Sequence, residues 1–68
     1  MSPDKLAYMA NQIGTFFQSQ KGEDAVASIA DHITTFWDPR MRRDFLAHLD
    51  VITLIPAVRQ AAERLRGR

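Results

Sequence analysis

Phe36-Trp37-Asp38-Pro39-Arg40-Met41-Arg42-Arg43 is the stretch on which the architecture turns. A residue that precedes proline is pushed out of the α region, so a helix running into Trp37 stops at Asp38. Aspartate is also a strong N-cap, and proline suits the first helical position because the N–H it lacks would be unpaired there anyway. One dipeptide therefore ends one helix and begins the next, with a sharp change of direction. Both flanks are apolar at helical spacing: Val26, Ile29, Ala30, Ile33, Phe36 and Trp37 upstream, Met41, Phe45, His48 and Leu49 downstream.

Upstream, Ser2-Pro3-Asp4 is a helix start, with a cap, a first-position proline and an acid at the positive helix end. Leu6, Met9, Ala10, Ile13, Phe16 and Phe17 follow as one stripe, which fades at Gln18-Ser19-Gln20-Lys21-Gly22, where glycine is placed to end the helix. Glu23 and Asp24 then fall in the first turn of the second helix. Downstream, Asp50 to Pro56 forms a tight apolar junction, and Pro56 fits only the first turn of a last helix. That helix is expected to start near Leu54, with Thr53 as its cap, and to carry Leu54, Val58, Ala61, Ala62 and Leu65 inward before Gly67 breaks it. No stretch alternates β-branched and polar residues as a strand would. The sequence thus predicts a single all-α domain over residues 1–68, a small bundle of four short helices at about 3–20, 23–37, 39–49 and 54–66.

An internal echo supports two like helices. Ala10, Ile13, Thr15 and Phe16 recur as Ala30, Ile33, Thr35 and Phe36 at an offset of twenty, and Phe17 is matched by the aromatic Trp37. Such a match suits an antiparallel hairpin packing like faces together.

At 68 residues the chain buries only ~60% of its unfolded surface, and folds of this size usually need a disulfide, a metal or a partner. The chain has no cysteine, and His32 and His48 stand sixteen residues apart without ligand-like neighbours, which leaves another protein as the expected staple. The N-terminal Met-Ser-Pro-Asp-Lys has no apolar segment behind it, and no apolar run approaches the ~20 residues of a membrane span, so no membrane association and a cytoplasmic location are expected. Net charge is +1, unevenly placed: residues 1–38 carry five acids and two bases, whereas residues 39–68 carry seven arginines and three acids. Either the two halves attract each other within the fold, or the basic surface is aimed at an acidic partner.

Catalysis needs a nucleophile, base or metal held against its partners, and no such set is legible, so neither an active site nor a cofactor or metal site is expected. Asp31 and His32 are adjacent but point about 100° apart on a helix. His32 falls at the border of its stripe and should cap a carbonyl or carboxylate. His48 falls inside the third stripe and should be half-buried. Phe16, Phe17, Phe36, Trp37 and Phe45 all lie on stripes, a heavy load for so short a chain, and Phe16 and Phe36 sit at equivalent edges that four short helices could leave uncovered. Tyr8 lies opposite its stripe and faces solvent, as interface tyrosines do. Arg40, Arg42 and Arg43 in a first helical turn oppose the helix dipole and call for compensation. Arg42, nearest the stripe, should make an internal bridge or a buried interface contact, while Arg40 and Arg43 point outward. A small DNA-binding helical regulator is the alternative, but the low net charge and the Asp44, Phe45 and Leu46 of helix three weigh against nucleic acid.

Met9-Ala10-Asn11-Gln12-Ile13 with Phe16-Phe17, then Ala30-Asp31-His32-Ile33 with Phe36-Trp37-Asp38-Pro39-Arg40-Met41, resemble the delta subunit of NAD-dependent, molybdenum-containing formate dehydrogenase. The likeness runs from about Leu6 to Leu65, and the Phe-Trp-Asp-Pro-Arg-Met run is its most distinctive part. It departs at Asp50–Pro56, where relatives often have glycines. The resemblance implies a non-catalytic accessory subunit of a bacterial cytoplasmic complex, without cofactors of its own. Its implied partner is the large molybdenum-binding subunit, and its implied role is support of complex assembly, molybdenum-cofactor insertion or retention, and quaternary stability. The expected partner-binding residues are Phe36, Trp37, Asp38, Arg40, Met41 and Arg43 at the corner of helices two and three, together with Tyr8. The sequence leaves open a homodimer of the isolated chain.

Overall fold

Ser2 opens the first helix, α1 (Pro3–Gln18), by accepting the Lys5 N–H on its hydroxyl at 3.2 Å. Asp24 opens α2 (Ala25–Phe36) in the same way, its carboxylate 3.1 Å from the Ala27 nitrogen. Asp38 opens α3 (Pro39–Ala47) with a 2.9 Å bond to the Met41 N–H. These bonds meet backbone donors that have no partner within a helix's first turn. The fourth helix, α4 (Pro56–Arg66), has no side-chain cap of its own. The computed structural model describes residues 2–20 and 24–67, and among them there are four helices and no strand.

Several boundaries differ from the sequence expectation. The first helix ends at Gln18, where the Ser19 backbone and hydroxyl both bond to the Phe16 carbonyl; Gly22, the expected breaker, lies outside the described residues, as does Glu23. Asp24 is the N-cap of α2 rather than a first-turn residue. The third helix stops at Ala47, because His48 leaves helical geometry, with its ring Nδ1 2.7 Å from the Asp44 carbonyl oxygen. His48 is therefore exposed and not half-buried. The last helix starts at Pro56, two residues later than expected. Thr53 does not cap it.

What replaces that cap comes from a distant helix. Asn11 on α1 donates through Nδ2 to the Thr53 carbonyl at 3.0 Å and accepts the Ile55 N–H on Oδ1 at 3.0 Å. A side-chain amide can serve an extended segment in both directions in this way. Arg59 on α4 holds the other side of the junction, donating to the carbonyls of Leu49 at 3.2 Å and Ile52 at 3.0 Å. Leu49 and Ile52 are thereby turned into the core although they lie outside any helix.

The core is continuous across all four helices. Leu6 and Ala10 of α1, Ile29 and Ile33 of α2, Phe45 of α3, and Val58 and Ala61 of α4 are almost completely buried. Trp37 packs edge-on against Phe45 with ring centroids 5.2 Å apart, closing the α2–α3 corner from inside. The alanines at 30, 57, 61 and 62 let α2 and α4 approach closely, and this is the largest helix pairing of the fold. Gly14 does the same where α1 meets the start of α4. A Cβ there would fall against Val58 Cγ2 and within 2.9 Å of Ile55 Cδ1.

Two stability predictions follow from these contacts. Gly14→Ala gains about 1 kcal/mol of helix propensity. It loses ~1–3 kcal/mol to overpacking against Val58 and Ile55, so urea titration should show net destabilisation. A more stable Gly14→Ala protein would mean that α4 shifts freely against α1. Asn11→Ala leaves the Ile55 N–H and the Thr53 carbonyl without their partner and should cost ~1–3 kcal/mol in the same assay.

Candidate docking surface

Among the described residues, the large apolar side chains left exposed are Tyr8 at 62%, Phe16 at 59%, Phe36 at 71% and Val51 at 73%. Three of them lie on α1 and α2, and two of these, Phe16 and Phe36, are linked through a row of rings. Phe16 meets Phe17 edge-on with centroids 5.2 Å apart, Phe17 meets His32 at 5.9 Å, and His32 meets Phe36 at 4.6 Å. His32 is thus held between phenylalanine rings; among the described residues it caps neither a carbonyl nor a carboxylate. Tyr8 lies two turns before Phe16 on α1, its hydroxyl accepting from Gln12 Nε2 at 2.9 Å. Two open hollows flank Phe16. One, of about 430 Å³, runs from Tyr8 along Gln12 and Thr15; the other, of about 320 Å³, lies between Ile13, Phe17 and His32.

The α2–α3 corner presents a different chemistry. Phe36 projects from the last turn of α2 into solvent. Arg40 and Arg43 are exposed on the first turns of α3 and make no ion pair among the described residues, where the sole ion pair joins Arg66 and Glu63. Met41 is half-buried against the core. Arg42 turns inward and takes the internal one of its two expected roles. Its Nη1 donates to the carbonyls of Thr34 at 3.2 Å and Trp37 at 3.0 Å, the negative end of α2. The dipole conflict of an arginine-rich first turn is thereby offset at one of its three arginines.

Of the seven residues singled out in the sequence, Phe36 lies exposed in the last turn of α2, Arg40 and Arg43 lie exposed on α3, and Met41 is half-buried there. Tyr8 lies on α1, beside Gln12. Trp37 is only 5% exposed and belongs to the core, and the Asp38 carboxylate is engaged in capping α3. Sequence reasoning missed Gln12, whose i, i+4 spacing from Tyr8 was a usable signal. It also missed Asn11 and Arg59. Asn11 bonds to residues 42 and 44 positions away, which no local pattern could reveal.

No group of three or more histidine, cysteine, aspartate or glutamate side chains is poised to hold a metal ion among the described residues. No described helix is long and apolar enough to cross a membrane. Neither a curated protein nor a solved structure matches the chain. A family does: the one described as NADH-dependant formate dehydrogenase delta subunit FdsD matches residues 5–62 of the 68, from the first turn of α1 to within α4. The match takes in the aromatic row and the whole α2–α3 corner, and the chain belongs to the delta-subunit family of NADH-dependent formate dehydrogenase.

Proposed function

We propose that this chain is a non-catalytic accessory subunit of a bacterial, cytoplasmic formate dehydrogenase. In this proposal it docks on the large molybdenum-binding subunit through the α2–α3 corner. Family membership supplies the complex, and one structural observation supports the surface: the chain turn from α2 to α3 leaves Phe36 71% exposed at the end of one helix and Arg40 and Arg43 exposed at the start of the next. A large ring that finds a pocket in a partner is a typical energetic anchor, and arginines at its rim steer encounter with an acidic patch. Met41 extends the apolar part of the contact. Trp37 and Asp38 serve it from behind, by holding the corner in shape.

Such docking supports assembly through mass action. A ligand that binds one state of a protein and not another stabilises that state by an amount set by its concentration relative to Kd. A small subunit that recognises only the cofactor-receptive form of the large subunit would raise the population of that form. Insertion or retention of the molybdenum cofactor, and the stability of the assembled complex, would both benefit, with the cofactor held entirely by the large subunit. No observation favours a DNA-binding role: α3 turns Phe45 inward and commits Arg42 to backbone carbonyls.

Co-expression with the large subunit tests the site. Arg40→Glu combined with Arg43→Glu should weaken capture of the large subunit by ~10-fold or more while leaving the helical circular dichroism unchanged, since both side chains are exposed. Undiminished capture would show that the corner is not the contact. Trp37→Ala is a poor probe, because truncating a core ring costs ~3–5 kcal/mol by itself. Omitting the chain should lower the molybdenum content per large subunit, measured by elemental analysis; an unaltered content would remove the cofactor role.

A further inference from the structure

We draw no further inference here: the strongest candidate, the surface patch of exposed rings on α1 and α2 with the two hollows flanking Phe16, carries nothing because nothing in the structure shows what covers it.

Discussion

Arg42 reaches back across the Asp38-Pro39 corner and holds the last carbonyls of α2, and most of what distinguishes this fold depends on that bond pair. Proline at position 39 forces the chain to turn, but it does not choose the direction. Asp38 fixes where α3 begins, and Arg42 then ties the beginning of α3 to the end of α2. A cation at the first turn of its own helix is unfavourable; the same cation at the C-terminal end of the preceding helix is favourable. The tight corner lets one side chain occupy both places. Trp37 and Phe45 pack beneath it, so the polar tie lies over an apolar contact that excludes water from one side.

The α3–α4 junction uses the same device twice more. Residues 48–55 make few backbone bonds among themselves, yet Leu49 and Ile52 are buried there and Leu54 and Ile55 are half-buried against the core. Buried backbone groups without partners are costly, so a junction of this kind needs side-chain donors and acceptors. Arg59 supplies two donors from α4, and Asn11 supplies one donor and one acceptor from α1. Glycines would have made the segment pliable; these two clamps make an apolar one rigid. Gly14, beside them on α1, gives Ile55 and Val58 the room to seat.

With core and clamps accounted for, the surface divides into two regions of unlike chemistry. The first turns of α3 offer exposed arginines, whereas α1 and α2 offer exposed rings beside two hollows. Phe36 adjoins both, since it packs on His32 and ends α2 just before α3 begins. A domain of 68 residues has little core to spare, and leaving such rings at the surface is costly unless something covers them. The chain belongs to a family of formate dehydrogenase subunits, and so has other subunits of that complex as partners.

The amino-acid sequence by itself determined the helices, their order and their inward stripes, because helical periodicity, proline and capping act over three or four residues and are written locally. It also marked Tyr8, Phe16 and Phe36 as edge or outward rings, and separated Arg42 from Arg40 and Arg43, since the helical wheel fixes direction relative to a stripe. The tertiary structure decided which stripe positions the bundle covers: Trp37 is buried but Phe36, its neighbour, is not, and His48 is turned out where α3 ends early. It alone joined Asn11 to the last junction, His32 to two phenylalanines, and Gly14 to α4. Those are contacts between segments distant in the chain. Their partners are selected by how whole helices pack, and packing is a property of the assembled core that no local window contains.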